Sequence, residues 1–404
     1  MIFLERKAMS VIQEIAAFES EMRAWRRDFH AHPELGLKEV RTAGIVAEKL
    51  RGWGIETHEN VGKTGVVGVL SVKGDKATPE GEKAIGLRAD MDALSMEEET
   101  GLPYSSQNPG CFHGCGHDGH TAMLLGAARY LAETRNFKGK VVFIFQPGEE
   151  GAGGARAMLD DGLFDRFPCN EIYALHNWPS TRKGSVQMKS GPAMAGADFF
   201  DIQVEGKGAH ASTPEASRDP IIAASFLVQA LQSIVSRNVF PLDAAVLSVT
   251  QFHAGSAYNV IPERAILSGT TRYFSHETRE LLRDRMRRAA VGIEGMFDVK
   301  TEVKLWQNFD ILTNAPFFFG EMQRAAQDVV GVDMVEEMEF PRMGSEDFSD
   351  MLRIVPGAYC WLMGGFAGSG EAWPLHHPRY DFDDDLLPLG SSILARIAER
   401  RLQP

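Results

Sequence analysis

Lys140-Val141-Val142-Phe143-Ile144-Phe145-Gln146-Pro147-Gly148-Glu149-Glu150 is the stretch on which the fold turns. A β-branched and aromatic run breaks at Pro147-Gly148, and two carboxylates follow at once. A run this short and this apolar predicts a strand buried on both faces, as in a sheet covered by helices. Outward from it, residues 66–72 and 84–88 predict further buried strands. Residues 10–29, 39–52 and 121–134 predict helices, the second stopped by Gly52 and Gly54. Such alternation predicts an α/β domain with a mixed, largely parallel sheet. Catalytic groups in such sheets sit beyond the carboxyl ends of strands. Three candidates occupy that position: Asp90 after 85–87, Glu149 and Glu150 after 141–145, and His176 after 172–175.

The pattern changes near Ala197. Residues 199–204 alternate as a strand, and 220–238 carry Ile221, Phe226, Leu227, Leu231, Ile234 and Val235 at helical spacing. Two strands (245–252 and 265–273), a helix (276–297) and a strand (300–305) follow. This strand-helix-strand-strand-helix-strand order predicts an inserted split-βαβ, ferredoxin-like domain over 197–310. The chain on either side, 1–196 and 311–404, forms the main domain, ending in a helix near 389–401.

At 404 residues the chain is long enough for two domains. Its net charge of -13, from 42 Lys plus Arg against 55 Asp plus Glu, argues against nucleic-acid or anionic-membrane partners. Four cysteines in so long a chain do not make a disulfide scaffold. A cytoplasmic protein is the expectation: no run of 18 apolar residues is evident, and residues 1–7 lack a signal-peptide pattern. Met9 offers an alternative start to Met1.

Phe112-His113-Gly114-Cys115-Gly116-His117-Asp118-Gly119-His120 concentrates a thiol, three imidazoles and a carboxylate. Those groups bind divalent metals. In an extended loop Cys115 and His117, two apart, point the same way, and the glycines let the backbone bring side chains together. Glu149-Glu150 admits two readings. In one, Glu150 binds metal and Glu149 takes a proton from activated water; in the other, both cap the helix predicted at 153–159. His176 reads as a ligand or as a hydrogen-bonded core histidine. Of His376 and His377, neighbours on an extended chain face opposite ways. The acidic run 381–385 reads most simply as a solvated turn.

In order along the chain, these segments resemble the hippurate hydrolase and indole-acetyl-amino-acid hydrolase branch of the aminoacylase/carboxypeptidase metallopeptidase superfamily. The resemblance covers nearly the whole chain. It includes His30-Ala31-His32-Pro33-Glu34-Leu35-Gly36, Arg88-Ala89-Asp90-Met91-Asp92-Ala93-Leu94, the Cys115 loop, the Glu149 pair and Leu175-His176-Asn177. It continues through Asn259-Val260-Ile261-Pro262, Met343-Gly344-Ser345-Glu346-Asp347-Phe348 and Leu375-His376.

The resemblance implies a site for two divalent metal ions, Mn or Zn with Ni or Co as alternatives, held by Cys115, His117, Glu150, His176 and His376. It implies Glu149 as general base and Asp90 as a carboxylate beside the metals. The inserted domain becomes a lid and dimerisation domain. There His210 would polarise the scissile carbonyl, with Asn259 and Arg272 near the substrate carboxylate. The implied reaction is hydrolysis of an N-acyl or N-aroyl amino acid. A dipeptidase, or a hydrolase of another C–N bond such as that of an aryl amine, would use the same site; a non-catalytic binding protein of this fold is the remaining alternative. The chain departs from the family pattern at Gly114 and Gly148 (commonly Ala), at Ser95 (commonly Pro) and at Pro214-Glu215 (often Pro-His).

Overall fold

The computed structural model describes residues 10–72, 83–365 and 373–403; Met1 and Met9, the two candidate starts, lie outside them. The chain divides into two units. Unit 1 contains the chain up to Ala193, Thr313–Phe340 and Asp347 onward; unit 2 contains Met194–Leu312 and Pro341–Glu346.

Unit 1 opens with helices α1 (Gln13–Ala17), α2 (Glu19–Ala31) and α3 (Val40–Gly52). One helix was expected over 10–29, but the chain breaks at Phe18, whose ψ of 21° lies outside the helical range. Strands β1 (Glu56–Val61), β2 (Gly65–Val72) and β3 (Ala84–Asp90) lead to α4 (His117–Thr134) and β4 (Gly139–Gln146). Then come α5 (Gly154–Asp160), α6 (Leu163–Arg166), β5 (Glu171–Pro179), β6 (Val186–Met188) and β7 (Gly191–Met194).

Unit 2 is built from β8 (Gly196–Glu205), β9 (Ala209–His210), α7 (Pro220–Asn238), β10 (Val246–Ala254), β11 (Val260–Ile261), β12 (Arg264–Tyr273), α8 (His276–Phe297) and β13 (Lys300–Phe309). The chain continues through β14 (Leu312–Asn314) to α9 (Pro316–Val330), β15 (Val335–Glu337), α10 (Phe348–Leu352), β16 (Gly357–Gly364) and α11 (Leu386–Arg401) of unit 1.

The large sheet of unit 1 runs β1-β2-β4-β3-β5-β16-β6-β15. Its centre, β4-β3-β5-β16, is parallel throughout, and antiparallel pairings flank it. Val141 to Gln146 are buried, as a run without polar alternation requires. Helix α4 is buried on almost every side and packs against α2 and α11. The parallel centre places Asp90, Gln146 and His176 toward the carboxyl ends of β3, β4 and β5.

The sheet of unit 2, β10-β12-β8-β13, is antiparallel. The expected order of strands and helices is present, with the short β9–β11 pair added. Phe200, Ile202 and Val204 on β8 meet Leu227, Leu231 and Ile234 on α7 and Leu282, Met286 and Ile293 on α8 in one apolar core. Helix α7 starts where Pro220 follows Asp219, whose carboxylate accepts from the Ile221 and Ile222 amides. Ser275 caps α8 by accepting from the Thr278 amide. Among the described residues α7 is long and apolar enough to cross a membrane, yet its buried stripe lies in the core of unit 2.

The acidic run is not the solvated turn expected of it. Asp381 accepts from Arg26 and, at 2.8 Å, from the Tyr104 hydroxyl. Asp384 pairs with Arg27 at 2.8 Å and Lys183 lies 2.9 Å from Asp383. The run is a basic-residue latch, its partners hundreds of positions away in sequence.

Candidate metal centre

Cys115 and His117 do not share an extended loop. His117 is the first residue of α4, and Gly116 before it has φ of +92°, which only glycine adopts without strain. A Cβ at Gly116 would also sit 2.4 Å from Asn177 Oδ1. This glycine turns the chain so that thiol and imidazole converge. Cys115 Sγ lies 3.4 Å from His176 Nε2.

Ligand-type atoms of Cys115, His117 and His176 lie within 4.8 Å of one another, as do those of Cys115, Glu150 and His376. Two triads thus share one thiol. Two further groups, His117 with Glu149 and Glu150, and Asp90 with His117 and His120, adjoin them. His376 reaches Glu150 at 3.1 Å from a backbone with φ of +65°. Its neighbour His377 instead stacks on Trp373, with ring centroids 4.2 Å apart. Glu149 is buried, and α5 begins at Gly154 with Gly153 at its cap, so neither glutamate caps that helix.

His176 is buried and hydrogen-bonded, and its other nitrogen faces the thiol. Its Nδ1 is 2.6 Å from the Asn177 carbonyl, which leaves Nε2 toward Cys115. His117 behaves alike: Nδ1 meets the Asp92 carbonyl at 2.9 Å and Asp92 Oδ1 at 3.1 Å. An Nδ1 that donates its proton leaves Nε2 with a lone pair, the state a metal ligand needs. That His117 Nε2 is buried without a hydrogen-bond partner among the described residues, and Glu150 Oε1 faces the His376 ring at 3.1 Å. This orphaned nitrogen, with a soft thiol, imidazoles and carboxylates converging, fits one or two divalent cations.

The electrostatics point the same way. Burial alone lowers the His117 imidazole, but Asp90, Asp92 and Glu150 outweigh it and raise it to about 10. Burial, then Glu150, Glu149 and Asp90, push the Cys115 thiol well above its ordinary range. Burial and His120 hold His176 well below its own. Burial would raise Asp90, yet His117, Arg88 and His120 hold it well below the usual carboxylate range. A site that draws a proton onto one histidine and resists a thiolate has excess negative charge, which a cation neutralises.

Sequence reasoning missed Asp92, which accepts from the Glu150 amide at 3.0 Å as well as facing His117. It also missed Asn177, which meets His120 at 2.6 Å, while His120 reaches Asp90 at 2.6 Å. The only sequence signal for Asp92 was its place two residues after Asp90. His113 is buried beside His30, ring centroids 6.4 Å apart.

The remaining candidates lie in unit 2. Val260 pairs with His210, and the Ala211 amide donates to the Asn259 carbonyl at 3.0 Å, so His210 and Asn259 are neighbours. Arg272 lies near the other end of β12, opposite Ala197, whereas Arg264 lies opposite Glu205. At about 3.4 Å per residue, Arg264 and Arg272 are about 27 Å apart along the strand. The exposed His210 accepts at Nδ1 from the Ser212 amide at 3.1 Å. Half-buried Arg272 donates to Thr270 Oγ1 and the Thr271 carbonyl, with no carboxylate partner among the described residues.

Residues 86–400 match the family model described as peptidase family M20/M25/M40. The chain is 41% identical over 397 residues to a hippurate hydrolase of Campylobacter jejuni, covering 98% of this chain and 100% of that protein. It is 38% identical to an N-acetyl-L-cysteine deacetylase of Bacillus subtilis, covering 96% and 90%. Among solved structures, the Bacillus subtilis YXEP protein, described as a dinuclear metal binding peptidase, superposes with a TM-score of 0.81 at 34% identity, covering 96% and 99%. The parallel sheet, the donor triads at its carboxyl ends and the match over residues 86–400 agree, and the chain belongs to peptidase family M20/M25/M40.

Proposed function

We propose that this chain is a metal-dependent amidohydrolase that cleaves the amide bond of N-acyl or N-aroyl amino acids, releasing a carboxylic acid and an amino acid. The observation that carries the reading is the pair of donor triads sharing Cys115, with Glu149 alongside. Cys115, His117, Glu150, His176 and His376 would hold two divalent ions, Mn or Zn, with Ni or Co as alternatives. Bound there, such ions supply Lewis acidity, polarising an amide oxygen and acidifying water.

The chain's own groups do the rest. Glu149 accepts the water proton on its carboxylate and later delivers it to the leaving nitrogen. Asp92 fixes the His117 ring and the Glu150 backbone together. His210, accepting at Nδ1 in its neutral form, keeps its proton on Nε2 and can donate to a developing oxyanion. Arg272, a half-buried cation without a carboxylate, suits a substrate carboxylate.

For His210, Asn259 and Arg272 to serve one substrate, the spacing along β12 favours two copies of the chain. β10 is an edge strand, and α7 exposes Ile221, Ile222 and Phe226, so unit 2 offers a surface for a homodimer. Mixing inactive His210→Ala with inactive Cys115→Ala subunits should restore activity; no restoration would remove the two-copy reading. The four free cysteines suit a reducing, cytoplasmic setting.

A panel of N-benzoylglycine, N-acetyl amino acids, dipeptides and aryl amines, with metal analysis on the same preparation, tests the reaction. The N-acylated amino acids should be cleaved fastest. A preference for dipeptides would favour the peptidase reading, which the likeness to the YXEP protein supports.

A further inference from the structure

Arg88 stands in a buried chain of hydrogen bonds that the mechanism above leaves unused. Its side chain is 1% exposed. Nη1 donates to Asp90 at 2.7 Å, Nε to Gln146 Oε1 at 2.9 Å and Nη2 to Asp347 Oδ1 at 3.2 Å. Gln146 Nε2 donates to the same Asp347 oxygen at 2.7 Å, and the Ala155 amide donates to Asp347 Oδ2 at 2.9 Å. The Asp347 carboxylate is therefore held on both oxygens. Its own backbone N–H donates to Glu149 Oε1 at 3.4 Å.

We propose that Arg88 and Asp347 are positioning residues for Glu149. The inference rests on the reading of Glu149 as the base. Glu149 lies on a loop just past Gly148, whose φ is +58°, so no strand or helix dictates its aim. Contacts alone set the direction of its carboxylate. The guanidinium fork is rigid and planar, so fixing Arg88 between β3 and β4 fixes Asp347, and with it the N–H that meets Glu149. One fork thereby ties Asp90, beside His117, to the residue that moves the proton. Asp347 acts through its amide, its carboxylate being occupied.

Asp347→Asn keeps the volume but cannot accept on both sides, so its NH2 must face either the Ala155 amide or the Arg88–Gln146 donors. In metal-loaded enzyme kcat should fall about 10- to 100-fold, the scale of an ångström-level misplacement. KM and metal content should stay within about twofold. The same substitution in a Glu149→Gln background should cost nothing further, since its effect runs through Glu149. Unchanged kcat in metal-loaded Asp347→Asn, or an equal further loss in the Glu149→Gln background, would overturn the proposal. If Asp347→Asn fails to fold or to hold metal, Gln146→Leu, which removes one contact to Asp347, should show the kcat-selective loss; wild-type kcat there would overturn it. A fully active Glu149→Gln variant is a separate result, which removes the base itself.

Discussion

The two units bury their residues on opposite terms. Unit 2 has an apolar core of strands against helices, and its buried charge centres on Asp198, which accepts from Tyr273, Arg279 and Arg283. Unit 1 buries Arg26, His30, Arg88, Asp90, Asp92, His117, Asp118 and His120, and leaves His117 Nε2 without a hydrogen-bond partner among the described residues. An unpaired buried polar atom destabilises a fold, so His117 Nε2, set among so many buried ionisable groups, marks a place where structure is held for a ligand. The folding of unit 2 follows mainly from amphipathic periodicity and capping.

The contrast can be broken from either side. Chelation should abolish turnover and loosen the Cys115 loop, the Glu149 loop and the His376 segment in hydrogen exchange, while β8 and β12 keep their protection. Equal loosening of both units would erase the distinction. Cys115→Ala, which removes the donor common to both triads, should lower the metal-to-protein ratio and leave the fold intact; an unchanged ratio would take Cys115 out of the ligand set. In unit 2, Leu227→Ala removes a fully buried side chain and should cost about 3 kcal/mol in unfolding free energy, with metal content unaffected. The smallest effect belongs to Asp385→Asn: its carboxylate is 59% exposed in its pair with Lys183, and loss of about 0.5 kcal/mol is expected by denaturant titration.

Much of this contrast is legible in the sequence. The strands ending at Asp90, Gln146 and His176 announce themselves because burial on both faces demands uninterrupted apolar residues. The helices of unit 2 do so through their period. Cys115, His117 and the Glu149 pair stand out by residue type. What stays hidden is pairing across long separations. Arg88 meets Asp347 259 positions away, and Arg27 meets Asp384 at 357, so no local pattern carries either contact. For the same reason the run 381–385 resembles a solvated turn until its arginine partners are seen. The start of α4 at His117 was missed because its cap is a left-handed glycine, not a capping side chain.

The central claim is that the buried polar cluster of unit 1 is a hydrolytic metal site with Glu149 as its base. Its most direct test compares wild-type and Glu149→Gln protein, each loaded with the same divalent metal, by metal content and by cleavage of N-acyl amino acids. The account predicts equal metal content and turnover lower by at least about 10²-fold in the variant, the scale of lost general base catalysis. Turnover near the wild-type rate in metal-loaded Glu149→Gln would contradict it.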